Sequence, residues 1–157
     1  MSKKVLLTAD STCDLSEELK EHFHVIVNPL HVVLDGNSYN DGVDLLPDDI
    51  YRVYEEKKIL PKTAAINAAE FIDFFTPYLE EGKDIIHFSL SSGISGVYNS
   101  AVIAKEELAE KYPERKIIVI DSLAASAGFG LLMVEAARKR AEGLSIDELA
   151  TWAEEKK

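Results

Sequence analysis

Within six residues, Ser91-Ser92-Gly93-Ile94-Ser95-Gly96, the chain places three hydroxyls and two glycines. Hydroxyls donate hydrogen bonds, and glycine lets a ligand approach the backbone because no Cβ stands in the way. A helix is expected directly after this stretch, and the first turn of a helix carries unpaired N–H groups at its positive end. The combination suits an anionic group such as a carboxylate or a phosphate. It also suits an ordinary tight strand-to-helix turn with a serine cap, and the residues alone leave both readings open. Two more polar groups sit at comparable places: Asp10-Ser11-Thr12, which is either a ligand rim or the turn that caps the next helix, and Asp121-Ser122.

Catalytic arrangements fit less well. A nucleophile elbow, G-x-S-x-G, needs glycine two residues after the serine, and Gly93-Ile94-Ser95-Gly96-Val97 has Val97 there. No lysine follows the glycines as a phosphate-binding loop requires, and the dinucleotide pattern G-x-G-x-x-G does not occur. Asp10 as an aspartyl nucleophile lacks a second carboxylate two residues on, where Thr12 stands. His87 lies inside an apolar strand, where a hydrogen-bonded core histidine is the simpler reading than a general base. The four histidines (His22, His24, His31, His87) and the single Cys13 show no zinc-ligand spacing, so neither a metal site nor an intramolecular disulfide is expected. A ring of hydroxyls beside small-residue helices describes a binder better than a catalyst. A phosphoryl-transfer or hydrolytic enzyme using Asp10 or Ser95 is the alternative.

The elements that must position these groups are legible from periodicity. Three apolar runs, Val5-Leu6-Leu7, Ile85 to Phe88 and Ile117 to Ile120, read as buried strands, and each leads into Asp or Ser. Helical stripes follow them: Leu15, Leu19 and Phe23 after an Asp14–Glu17 capping pair, and Val97, Ala101, Ala104 and Leu108 after Gly96. Asn67 with Glu70 opens a helix carrying Phe71, Phe74, Phe75 and Leu79, and Ser145 with Glu148 opens one carrying Ile146, Leu149 and Trp152. Pro47, Asp48 and Asp49 begin another that ends at Lys57-Lys58. Ala124 to Gly130 form a small-residue helix entry, able to line an apolar slot. Val25-Ile26-Val27 and Leu30 to Leu34 read as a hairpin arm outside the core, turning at Asp35-Gly36-Asn37. The expected fold is α/β, a mostly parallel sheet covered by helices, with a β-hairpin arm. In such sheets ligands bind beyond the carboxyl ends of the strands, so Asp10-Ser11, Ser89 to Ser95 and Asp121-Ser122 should gather on one edge.

A length of 157 residues suits one domain. The formal net charge of −11 argues against a nucleic-acid backbone or an anionic membrane surface as partner. Lys3 and Lys4 lead straight into a strand instead of a cleavable apolar segment, and no run approaches 18 apolar residues, so a cytoplasmic protein without membrane insertion is expected.

Three ordered segments carry a family resemblance: A-D-S-T-C-D-L at 9 to 15, S-S-G-I-S-G-V-Y-N-S-A at 91 to 101, and D-S-L-A-A-S-A-G-F-G at 121 to 130. Together they resemble the signature segments of the DegV family. The resemblance implies a DegV-like N-terminal domain spanning 1–157, with the family's second domain absent from this sequence. It further implies binding of a long-chain fatty acid such as palmitate, no cofactor, and no catalysis by this chain. A separate fatty acid kinase subunit would phosphorylate the bound carboxylate. The head-group threonine of the family falls on Thr63 and the serine on Ser95, with Ser92 the second choice. With Gly93 in the same turn and Ser11 on the Asp10–Thr12 rim, the expected binding set is Thr63, Ser95, Ser92, Gly93 and Ser11. The segment after Thr63, Ala64-Ala65-Ile66-Asn67, departs from the commoner T-S-Q-P form by losing two polar side chains and a proline. A lone domain that serves only in protein association is a further reading.

Overall fold

The computed structural model describes residues 5–157, so Lys3 and Lys4 lie outside the described residues. Strand β1 (Val5–Asp10) is buried along almost its whole length. Its alternation divides two cores. Leu7 and Ala9 face one side with Ile86, Phe88 and Ile120, while Leu6 faces the other with Ile85 and Ile117. Around β1 lie β2 (Val25–Asn28), β6 (Asp84–Ser89) and β7 (Ile117–Asp121), all parallel, in the order β2-β1-β6-β7.

Helices cover both faces. On one, α5 (Ser126–Ala141) and α6 (Ile146–Lys156) bring Phe129, Met133, Ala136, Ile146 and Leu149. On the other, α3 (Ala68–Glu80) and α4 (Val97–Lys111) bring Phe71, Phe75, Leu79 and the expected stripe Val97, Ala101, Ala104 and Leu108. The capping boxes at Asn67–Glu70 and Ser145–Glu148 are formed, and Pro47 opens α2 (Pro47–Lys57) as the sequence suggests.

Two expectations change. Val25–Asn28 is not part of the arm: it pairs in parallel with β1 from Leu7 to Asp10 and forms the fourth strand of the main sheet. The break at Asn28-Pro29 is a change of sheet, since Pro29 has no N–H to continue a ladder. The arm is a separate antiparallel sheet, β4-β3-β5, built from β3 (His31–Leu34), β4 (Asn37–Asn40) and β5 (Lys62–Ala64), with α2 packed on it through Ile50 and Val53. The second change is at the first helix. α1 (Glu17–Phe23) is capped by Ser16, whose Oγ accepts from Leu19 N, while Asp14 sits in the left-handed region at φ 50°. A short 3₁₀ turn, Ser11–Cys13, fills the interval and carries the chain out of β1 before the helix can start.

That turn is also closely packed from above by α5. Gly130 of α5 lies against it, and a Cβ at this position would stand 2.5 Å from the carbonyl oxygen of Cys13. Gly130→Ala gains up to about 1 kcal/mol in helix propensity but forces a backbone carbonyl aside, which costs roughly 1–3 kcal/mol. Urea denaturation is expected to show a net loss of stability; an unchanged or raised midpoint would mean that α5 slides freely over the turn.

Candidate ligand-binding site

The order β2-β1-β6-β7 reverses its direction between β1 and β6, and open parallel sheets leave a crevice at such a reversal, beyond the carboxyl ends of the strands. Asp10 ends β1 at that point and is 0% exposed. Its Oδ2 accepts from Ser89 Oγ and from the N–H of Leu90, both at 2.8 Å, and its Oδ1 lies 3.2 Å from His87 Nε2. The other ring nitrogen of His87 is 2.8 Å from Thr8 Oγ1, and the ring stands edge-on to Phe71 and Phe75. His87 is thus a hydrogen-bonded core residue. Asp10 has no open face from which to attack a substrate; its carboxylate fixes where β6 ends and the Ser91–Gly96 turn begins.

A second carboxylate holds the same turn from the far side. Asp121, at the end of β7, accepts from the N–H groups of Ser92 and Leu123, both at 3.1 Å. Burial opposes its ionisation, yet the Ser92 hydroxyl and the two N–H groups outweigh that and hold its carboxyl below the usual carboxylate range. The three polar strand ends therefore meet as expected, with Ser122 N donating to Ser89 O and Ser91 N to Ala124 O. Leu123 and Ser126 adopt left-handed backbone at φ 53° and 52°, a strained segment beside the turn.

The turn differs from the expected cradle of free N–H groups. From Leu90 to Ser95 every N–H has an internal partner: Asp10, Ala124 O, Asp121, Ser91 Oγ and, twice, Ser91 O. Neither Gly93 nor Gly96 lies in the left-handed region; a Cβ on Gly96 would meet nothing within 4 Å, and one on Gly93 only Ser91 Oγ at 3.5 Å. The glycines leave open space. The donors left for a ligand are hydroxyls and, at the start of α4 (Val97–Lys111), the N–H groups of Gly96, Tyr98 and Asn99, which have no partner among the described residues. Ser95 Oγ accepts from Val97 N at 3.3 Å, which fills one of its two lone pairs and leaves its O–H to donate. Ser92 and Gly93 are exposed on the same turn, Ser95 half-buried.

Thr63 arrives from the other sheet. It is exposed on β5, paired with Val32, and three residues later Ile66 is buried in the same cluster as Val97. The serine turn and the threonine segment are therefore rooted in one core, two residues after Ser95 and three after Thr63. Glu70 fixes the segment from α3: one oxygen accepts from Asn67 N, the other lies 2.6 Å from His31 Nε2. The Asn67 N–H and then the His31 ring hold its carboxyl below the usual range. Ser11 is engaged otherwise. Its Oγ donates to Asp41 at 2.6 Å and accepts from Leu30 N at 3.1 Å, tying the arm to β1. Cys13 is buried, and burial pushes its thiol up. Among the described residues no group of three or more His, Cys, Asp or Glu side chains could hold a metal ion, and no helix is long and apolar enough to cross a membrane. Sequence reasoning marked Asp121 only as a strand end and missed the His31–Glu70 clamp, since a contact between residues 39 apart has no local signal.

The family model described as "Uncharacterised protein, DegV family" matches residues 4–157. The chain belongs to the DegV family. A DegV domain-containing protein from Clostridium perfringens is 38% identical over 157 residues, 99% of this chain and 54% of that protein. A stearic-acid-binding protein from Eubacterium ventriosum superposes with a TM-score of 0.86 at 35% identity, covering 94% of this chain and 51% of that one. A DegV family protein from Thermus thermophilus, described by its fatty acid binding, superposes at 0.83 with 30% identity, covering 97% and 52%. This DegV chain spans about half the length of the relatives it matches.

Two outcomes follow for the carboxylates. Asp10→Ala removes the partner of His87, Ser89 and Leu90 N in a dry environment and should cost roughly 3–5 kcal/mol in chemical denaturation; a loss below about 1 kcal/mol would mean that the network is not the frame of the site. Asp121, with its folded pKa depressed, contributes stability that is present above its unfolded pKa and lost as pH falls through the lower folded value. Protection of the Ser92 and Leu123 N–H groups against hydrogen exchange should fall below about pH 4 more than elsewhere on the sheet edge, and Asp121→Asn should abolish that extra acid sensitivity.

Proposed function

We propose that this DegV chain binds a long-chain fatty acid such as palmitate, with the carboxylate held by the hydroxyls of Thr63 and Ser95 and with Ser92 and Gly93 lining the approach. The observation that carries the reading is Ser95: one of its two lone pairs is taken by Val97 N, while its O–H donates to no acceptor among the described residues and is left for a carboxylate. Thr63 is an exposed hydroxyl on a segment rooted in the same cluster. Ile94, 67% exposed, and Leu123, 60% exposed, flank Ser92 and offer the first apolar contacts for a tail. The similarity to a stearic-acid-binding protein supports the same ligand class.

Burying about 14 methylenes at about 0.8 kcal/mol each yields on the order of 11 kcal/mol before association costs, so the tail supplies affinity and the head sets register. The resemblance to the DegV family implies that a separate ATP-using kinase subunit carries out the activation step, and this chain would present the carboxylate to it.

Native mass spectrometry of the protein purified from bacterial cells, followed by extraction, should reveal a C16–C18 acid. Thr63→Ala and Ser95→Ala should each weaken palmitate binding about tenfold or more, as expected for hydrogen bonds to a charged group. Full affinity in the double variant would remove these residues from the site. Acyl phosphate turnover without added kinase, abolished by Ser95→Ala, would instead favour an enzyme.

A further inference from the structure

Two side-chain links join the antiparallel arm, residues 31–64, to the rest of the described chain: Ser11 Oγ donates to Asp41, and His31 Nε2 meets Glu70 at 2.6 Å. Both act at one end of the arm's sheet, where Asn40, His31 and Ala64 stand in a row across β4, β3 and β5 and Asp41 follows Asn40. A single link leaves a small sheet free to pivot about it. Two fix its angle.

His31 does more than tie two units together. Its backbone pairs with Ala64, the last residue of β5, and its side chain reaches Glu70, whose other oxygen accepts from the N–H of Asn67. The chain from Ala64 to Asn67 is therefore held at both ends by one residue, directly at the first and through Glu70 at the second. Thr63 is next in line, on a three-residue edge strand that is exposed throughout and pairs only with β3. A strand with so few buried contacts has little of its own to hold it in place. The Glu70 carboxyl, kept below its usual range first by the Asn67 N–H and then by His31, is an acceptor only, so the ring nitrogen of His31 donates. The two side chains are 27% and 38% exposed, and pairs so open to water add little to global stability. What this one governs is geometry.

We propose that His31 is a positioning residue: through Glu70 it holds the Thr63 segment to the start of α3, and so sets the gap between the Thr63 and Ser95 hydroxyls across which a carboxylate is gripped. The inference rests on the fatty-acid reading and deepens it. An O–H···O bond works over about 2.5–3.0 Å, so a shift of the arm by roughly 1 Å leaves a carboxylate within reach of one hydroxyl but not of both. His31 acts on the ligand without touching it.

The test is equilibrium binding of palmitate to the wild-type chain, His31→Phe, His31→Gln, Thr63→Ala and Ser95→Ala, and to the two double variants that add His31→Phe to each hydroxyl deletion, with the thermal midpoint of every unliganded protein. Phe keeps a ring but has no donor, whereas Gln returns an N–H at similar reach. His31→Phe should weaken palmitate binding about three- to tenfold, and His31→Gln should stay within about twofold of the wild type. The unliganded midpoints of these two variants should lie within about 3 °C of the wild type. Once either hydroxyl is gone the gap no longer matters, so His31→Phe should add less than about twofold in either background, where a general loosening would add its full factor each time. Unchanged affinity in His31→Phe would overturn the proposal, and so would the full further loss in either double variant. Should His31→Phe not fold, His31→Asn, whose amide is too short to reach Glu70, carries the same comparison. A wild-type chain that binds no palmitate, or that binds it equally well without both hydroxyls, removes the fatty-acid reading and this role with it. Binding that depends on Thr63 and Ser95 but ignores His31 removes the positioning role alone.

Discussion

Everything at the carboxyl edge of this sheet depends on one buried carboxylate. Asp10 sits where β1 and β6 diverge, and its two oxygens receive a hydroxyl, a backbone N–H and an imidazole without contact to water. A charge in that position is tolerable only because its oxygens are filled. The arrangement converts an electrostatic liability into a positional constraint: the polypeptide leaving β6 must pass within hydrogen-bonding distance of β1. Asp121 repeats the device at the next strand, so the serine turn is drawn tight between two acids.

On the proposed reading, an acidic chain that holds an acid must separate structural from functional charge. Here Asp10 and Asp121 point into the backbone and take the N–H groups of Leu90 and Ser92, so neither carboxylate faces the hydroxyls of the turn. The turn resembles an anion-binding loop in sequence but uses its main chain internally as far as Ser95.

The sequence made the parallel core legible because buried strands and amphipathic helices announce themselves by period: Ile85–Phe88, Ile117–Ile120 and the Val97–Leu108 stripe all lie where periodicity put them. The gathering of Asp10, Ser91 and Asp121 was legible for the same reason, since parallel strands present their carboxyl ends together. What local pattern could not reveal was partnership. Val25–Asn28 and His31–Leu34 look alike as β-branched runs, and only pairing assigns the first to the main sheet and the second to the arm. Ser11 had the composition of a rim residue, but its hydroxyl is spent on Asp41 and Leu30 across the chain. The free or engaged state of an N–H is likewise a tertiary fact, and this is why the cradle expected from Ser91–Gly96 is filled from within as far as Ser95 and opens only at Gly96 and the first turn of α4.

Thr63 and Ser95 belong to different sheets. One stands on a strand of the antiparallel arm, the other on a turn of the parallel core, and the two units meet through Pro29, the Ser11 hydroxyl and the packing of Ile66. The gap between the two hydroxyls is therefore a property of the joint. Substitutions in the arm, at Val32, Leu34 or Leu45, can widen or narrow it without altering either hydroxyl, giving a lineage a mechanical route to retune the spacing while the two residues proposed to hold a ligand stay fixed.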